Sequence, residues 1–215
     1  MLDADRRLAL AYVPASRRAA LEALWRLDVI FASVLATGRD EMVTRIRLAW
    51  WREALERLDT EPPPAEPVLR ALAEHVVPAG IGGAALAAME AGWEALISDT
   101  APTPQDLAAY ARARGGRLFR YSALVLGDPD FPVEAAGRLW ALADLARRSA
   151  NPREAQAALD AAEAQVVAKW PGPLRPLGML AALAWRDVAR RGESWERQGS
   201  PARMLRMIRH RLTGI

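Results

Sequence analysis

Cysteine is absent from the 215 residues, and histidine occurs only twice, at His75 and His210. Without thiols, neither a disulfide framework nor a thiolate metal site can form. The two histidines stand far apart with no His or Cys at ligand spacing, so zinc or haem chemistry is not expected and both read as surface residues. Lysine is almost missing as well: Lys169 is the sole one among 29 basic residues. Long apolar runs are lacking too. No window reaches about eighteen uncharged apolar residues, so no spanning helix is expected. The start, "MLDADRRLALAYVPASRR", is charged at once and lacks the apolar core of a signal peptide. There is no G-x-S-x-G and no Walker loop, and "GIGG" at Gly80 to Gly83 is too short to cradle a phosphate and reads as a turn. Together these absences imply a soluble cytoplasmic chain, with peripheral contact to the inner membrane left open, and nothing in them asks for a nucleic acid.

What is present is apolar material and arginine. Hydrophobic residues make up 52% and charged residues 26%, enough for a sizeable core and against disorder. The net charge is only +3, yet the sequence pI is near 9.9. Arginine forks suit phosphate and carboxylate, so anionic partners are one reading. A genome that favours Ala and Arg is the other, and it carries more weight.

Helical periodicity dominates. Ser16 is expected to cap a helix reaching about Leu35, with Leu21, Leu24, Leu27 and Phe31 as its stripe. A second helix fits Asp40 to Leu58, with Met42, Ile46, Ala49, Trp50 and Leu55 on one face and Arg45, Arg52 and Glu56 on another. The three prolines in "TEPPPAEP" must end it. Further helices are predicted over Val68 to Val77, Ala84 to Ile97, Thr103 to Leu126, Val133 to Ser149, Pro152 to Lys169, Leu174 to Arg191 and Pro201 to Leu212. Thr103-Pro104 is a cap followed by proline at the first helical position. "VPAGIGG", "GDPDFP" and "KWPGPLRP" read as turns, none long or polar enough for a domain boundary. The expectation is one all-α domain over 1–215, a bundle of about eight or nine helices.

Three stretches invite chemistry. The eight tryptophans read mainly as packing, with some left to line a cavity; of the adjacent Trp50 and Trp51, one ring should face the core. In "DLAAYARARGGRLFRYSALVLG", Tyr110, Arg114, Arg117 and Tyr121 would share one side. Gly115 and Gly116 each cost about 1 kcal/mol relative to alanine in a helix, so close approach of a helix or a ligand is expected there. A solvated arginine face with a tight helix crossing is slightly favoured. The tail "SPARMLRMIRHRLTGI" carries Arg203, Arg206, Arg209 and Arg211 with no acid. It reads either as a basic amphipathic helix on an anionic membrane or partner, or as the last helix of the bundle with its basic end suited to the helix dipole. The second reading is favoured for folding.

The order of these pieces resembles the squalene/phytoene synthase family of all-α isoprenoid synthases. "YVPASRRAALEALWRLDVIFASVLA" and then "IRLAWWREALERLD" are similar to the family's opening and to its "WWREEL"-like signature, carried here by Trp50, Trp51 and Arg52. "YARARGGRLFRYSALVLG" and "GRLWALADLARR" are similar to two later family helices, with Gly116 on a family glycine. The resemblance covers most of residues 8 to 149, and the chain is expected to be truncated relative to full-length synthases.

What the resemblance implies is a pocket wall whose metal-binding half is missing. Laid gap-free on Pro14, Arg17, Arg18, Leu21 and Leu24, the family's Asp-x-x-x-Asp falls on Ala32 and Ala36. In the second motif the family Asn falls on Asp144, the Arg on Arg147 and the Asp on Arg148, and "SANP" stands where an acidic pair should follow. Paired aspartates on one helix face hold the Mg²⁺ that takes up charge on a departing diphosphate. Alanine offers no oxygen and arginine repels the cation, so no cofactor is expected, with Mg²⁺ implied only if activity survives on Asp28 and Asp144. Three readings follow. The leading one is a non-catalytic synthase-like protein that binds a prenyl or other lipid, or a protein partner, in the manner of the complex I assembly branch, whose "ALRAFN.EL" and "MR.QFWK..VEDIY" are similar to "ALWRLDVIFA" and "IRLAWWREALERLD". The second is a divergent head-to-head prenyl transferase whose diphosphate is held by Arg112, Arg117 and Arg147. The third is a plain helical scaffold. A wide apolar cavity between the Leu24–Ala36 and Ala135–Arg148 helices would support the first two, and a filled core the third.

Overall fold

The computed structural model describes residues 1–215 except Arg39, Asp99, 163–168 and Ser194. Every regular element among the described residues is helical. In chain order these are α1 (Ala4–Ala11), α2 (Ala15–Thr37), α3 (Glu41–Glu56), α4 (Pro67–His75), α5 (Gly83–Ala87), α6 (Glu90–Glu94), α7 (Pro104–Tyr110), a π-helical segment (Ala111–Gly116), α8 (Arg117–Leu126), α9 (Glu134–Arg148), α10 (Pro152–Ala161), α11 (Arg175–Ala189) and α12 (Pro201–Thr213). No single helix among the described residues is long and apolar enough to cross a membrane. One pair, Pro67–Ala79 with Gly83–Glu94, passes on composition but bends by 118°.

Local chemistry explains most boundaries. Thr103 and Asp106 form a reciprocal capping box with Pro104 in the first turn, so α7 starts where expected. Asp40 caps α3 through the Val43 N–H at 3.0 Å. The cap expected at Ser16 is not made: α2 begins one residue earlier, behind Pro14, without a side-chain cap. Its stripe is as expected, with Leu21, Leu24, Leu27 and Phe31 fully buried. α1, outside the expected set, is capped by Asp3. Gly127, at φ +83°, closes α8 in the left-handed conformation that only glycine adopts without strain, and Arg17 covers the turn by donating to the Val125 carbonyl at 2.9 Å.

Four expectations change. On α3 the buried side is Thr44, Leu48, Trp51 and Leu55, whereas Met42, Ile46 and Trp50 are 67%, 60% and 47% exposed. The helix carries two apolar stripes, and the packed one meets α2 and α5. The expected helix over 84–97 breaks after α5. There the Tyr121 hydroxyl donates to the Ala85 carbonyl at 2.9 Å and Arg117 donates to the Ala88 carbonyl, so side chains from α8 occupy carbonyls at the break. The expected helix over 103–126 widens into the π-helical segment. The expected helix from 152 ends at Ala161, and 163–168 lie outside the described residues.

α9 is the centre of the bundle, packed against the π-helical segment, α10 and α11; α2 packs on α3, α4 and α8. α1 and α12 both lie on α11, which brings the two ends of the chain together. Gly115 and Gly137 make the tightest crossing: a Cβ on Gly115 would stand 2.1 Å from the Gly137 carbonyl oxygen, and one on Gly137 would stand 2.2 Å from that of Gly115. Helix approach, not a ligand, therefore accounts for Gly115, while Gly116 meets nothing nearer than 3.8 Å. The tail is the last helix of the bundle, and Arg203, offered above as a membrane contact, is 4% exposed and held inside by Asp5 and Asp187. Arg209 is exposed and Arg206 half-buried. His210, expected on the surface, is 3% exposed because α12 turns it onto Gly178 and the Trp170 ring.

Candidate functional site

The two acidic residues singled out in the sequence, Asp28 on α2 and Asp144 on α9, converge on one side chain. It is Arg114, which sits in the π-helical segment between the two helices and is 1% exposed. Its Nε donates to Asp28 Oδ1 at 2.7 Å and its Nη2 to Asp28 Oδ2 at 3.0 Å. The same Nη2 donates to Asp144 Oδ2 at 2.7 Å, and Nη1 donates to the Tyr110 hydroxyl one turn back. A forked guanidinium between two carboxylates is the strongest arrangement available to an arginine. Two indoles hold its faces: the guanidinium carbon lies 4.4 Å from the Trp93 ring centre and 4.7 Å from that of Trp140.

The remaining carboxylate valences are also taken. Arg6 of α1 donates to Asp28 Oδ2 at 2.8 Å, and Arg148, one turn beyond Asp144, donates to Asp144 Oδ1 at 2.8 Å. Asp3 closes the circuit, 3.3 Å from Arg6 and 3.8 Å from Arg148. Three arginines thus alternate with three aspartates around a ring. Burial pushes the Asp28 carboxyl up, but Arg114 and then Arg6 outweigh it and hold the group below its ordinary value. Asp144 follows the same pattern: burial opposes, Arg114 and Arg148 win, and it lies far below the usual carboxylate range. Burial is also the largest influence on Arg114 and acts to lower it, yet Asp28 and its companions raise it well above its ordinary value. Burial pushes the Tyr110 phenol up, so it stays neutral. Asp28, Asp144 and Arg114 thus keep the charge state that the ring needs.

A second neutral circuit lies beside the first. Arg203 bridges Asp5, at 2.9 Å, and Asp187, at 3.0 and 2.9 Å to its two oxygens. Arg147 donates to Asp187 at 2.7 Å and to the Glu196 carbonyl at 2.8 Å, with the Trp195 ring 4.7 Å from its guanidinium. A cavity of about 30 Å³ lies between the circuits, lined by Asp5, Arg6, Asp144 and Arg147 among others. It admits a water but not a prenyl chain.

A divalent cation does not fit this centre. Every oxygen of Asp28 and Asp144 already accepts from a guanidinium, and among the described residues no group of three or more His, Cys, Asp or Glu converges as metal ligands. The centre is an internal salt-bridge core.

The chain is thus an all-α protein with two carboxylates facing one another across a central arginine. A model of the squalene/phytoene synthase family matches residues 2–155, and the chain belongs to that family. No curated protein matches it significantly, and no solved structure does.

The other residues named from the sequence scatter. Ala32 is half-buried against the core and Ala36 is exposed at the end of α2. Trp51 packs inward against Phe31, with ring centres 6.4 Å apart, while Trp50 faces out and Arg52 lies 3.9 Å from the buried Glu90. Arg112 and Arg117 share one outer groove, but Arg147 lines the small inner cavity. Arg6 and Arg114 are missing from the sequence-based site, and Arg148 enters it only as a misfit to the second motif. Arg148 was within reach, since it stands i+4 from Asp144 and that spacing pairs side chains on a helix.

Proposed function

We propose that this chain is a squalene/phytoene-synthase-family protein without prenyl-transfer chemistry, retained as a binding or scaffold protein. The observation that carries this reading is the Arg114 guanidinium seated between Asp28 and Asp144. Prenyl transfer needs charge compensation for a departing diphosphate, which a metal held by free carboxylates supplies. Here alanine stands at both positions of the first aspartate pair, Ala32 and Ala36, and the two carboxylates at the centre, Asp28 and Asp144, are neutralised from within, with Trp93, Trp140 and Tyr110 around the arginine that does so. A filled centre favours the scaffold form of the proposal over a lipid held between α2 and α9. The exposed stripe of Met42, Ile46 and Trp50 on α3 supports a surface for a protein partner. Respiratory-complex assembly, with action in the cytoplasm or against the inner membrane, is the setting suggested by the resemblance to the complex I assembly branch.

The alternative, a divergent prenyl transferase with its diphosphate on arginines, draws on Arg112 and Arg117 lining one groove. One assay separates the two: purified protein incubated with farnesyl or geranylgeranyl diphosphate and Mg²⁺, following pyrophosphate release. The expected result is no release above a heat-denatured control. Release that Asp28→Ala abolishes would overturn the proposal and make the central pair catalytic.

A further inference from the structure

α12 packs on the bundle through one face. Arg203, Met207, His210 and Gly214 recur at helical spacing on that inner face and are all buried. Leu205 and Leu212 stand on the opposite face, 70% and 73% exposed. They are two turns, or about 10 Å, apart. Ile208, half-buried, lies between them. A single exposed leucine is ordinary, but an aligned pair along one helix makes an apolar ridge.

The flanks of the ridge are cationic. α12 carries four arginines and no carboxylate, and of the four it is Arg203 that turns fully inward. Helical spacing sets Arg206 and Arg209 on one flank and Arg211 on the other. Burial first, and then Arg209 and Arg186, lower the Arg206 guanidinium from its ordinary value, so like charges crowd its flank. An aromatic ring edges each side. Trp185 of α11 is partly exposed with Arg206 5.9 Å from its centre, and Tyr12, at the end of α1, is exposed with Arg211 5.5 Å away.

This combination selects the partner. A second copy presenting the same face would set arginine against arginine, which opposes self-association. A nucleic acid would answer the arginines but leave the leucine ridge in water. With 13 residues, α12 is too short to cross a bilayer but can lie in its surface plane. An apolar ridge between basic flanks, with Trp and Tyr at the edges, matches the acyl boundary and headgroups of an anionic bilayer.

We propose that the outer face of α12 docks on a bilayer surface rich in anionic phospholipid, with Leu205, Ile208 and Leu212 at the acyl boundary and Arg206, Arg209 and Arg211 among the headgroups. α12 lies outside the family match over residues 2–155, so this surface is no part of that match. It goes beyond the scaffold reading and does not depend on the state of the Asp28–Arg114–Asp144 centre. The vesicle test and the pyrophosphate assay can therefore fail separately.

The test is flotation of the full chain with vesicles of phosphatidylglycerol and phosphatidylcholine in equal parts, beside vesicles of phosphatidylcholine alone. Binding to the mixed vesicles is expected to be at least about tenfold stronger and to fall as salt is added. Leu205→Ser/Leu212→Ser should weaken it by about tenfold or more, since the insertion depends on apolar area. Arg206→Gln/Arg209→Gln should weaken it by at least about fivefold, the weight of one basic residue at an anionic surface. All four positions lie off the packed face, and thermal melting confirms that the variants remain folded. The proposal falls if the mixed vesicles are not bound, if neutral vesicles are bound equally well, or if the folded variants bind like the parent. It falls too if a single-stranded oligonucleotide displaces the vesicles and binds the leucine variant as tightly as the parent, which would mean a plain polyanion surface.

Discussion

At the scale of single residues, the decisive feature is one guanidinium that serves two carboxylates. A buried ion pair contributes little net stability over a hydrophobic replacement, because desolvation offsets attraction, but removing one partner strands the other. Arg114→Met should therefore leave Asp28 and Asp144 underpaired in a water-excluded site and cost about 3–5 kcal/mol. In Arg114→Met/Asp28→Leu the remaining charges again balance, as Asp144 with Arg148 and Asp3 with Arg6. The double variant is expected to cost less than the single arginine variant. Urea unfolding of the parent, both singles and the double decides it: additive costs would mean that the two residues are not coupled.

At the scale of elements, the π-helical segment and α9 stand or fall together, and the adjacent glycines probe this. Gly115→Ala would drive a methyl group against the Gly137 main chain, which cannot swing aside, and should cost at least about 1–3 kcal/mol. Gly116→Ala meets only ordinary contacts in a helical backbone and should be neutral or stabilising by up to about 1 kcal/mol. Opposite signs in thermal melting are the expected outcome; equal effects would place the crossing elsewhere. The same elements show what sequence reveals. Caps and stripes are local, so the Thr103 start and the Leu21–Phe31 stripe of α2 are legible from neighbouring residues. On α3, two apolar stripes compete, and only the positions of α2 and α5 decide that Leu48 and Trp51 win over Met42, Ile46 and Trp50. Arg114 looks like part of a solvated basic face because its partner Asp28 lies 86 residues away. Asp28 and Asp144 could be named from the family pattern; the cation that joins them could not.

At the scale of the molecule, the two neutral circuits tie the chain's ends into its centre, with Asp5 of α1 bound to Arg203 of α12 across 198 positions. Stability should therefore respond to pH as a whole-chain property, through two kinds of group. Asp28 and Asp144 have folded pKa values below their unfolded ones, so their contribution is complete above about pH 4–5 and is lost only in stronger acid. His210 acts at higher pH. Burial, then Arg206 and Arg175, lower it to about 4 from 6.5, although its place in the last turn of α12 would by itself favour a charged ring. The Ile215 main chain acts the other way and raises it, but by less, and among the described residues neither imidazole nitrogen has a hydrogen-bond partner at full bonding geometry. Between pH 6.5 and about 4 the unfolded chain binds a proton at this residue that the folded chain refuses, so unfolding becomes easier as pH falls across that window. At about 1.4 kcal/mol per unit, the loss amounts to about 2–3 kcal/mol. Urea unfolding of the parent from pH 7 to pH 4 should show this decline, and His210→Leu, which removes the proton site but keeps an apolar side chain against Trp170, should flatten it. A parent curve that is level over the window, or a variant that follows the same slope, would mean that His210 takes up its proton without leaving the fold.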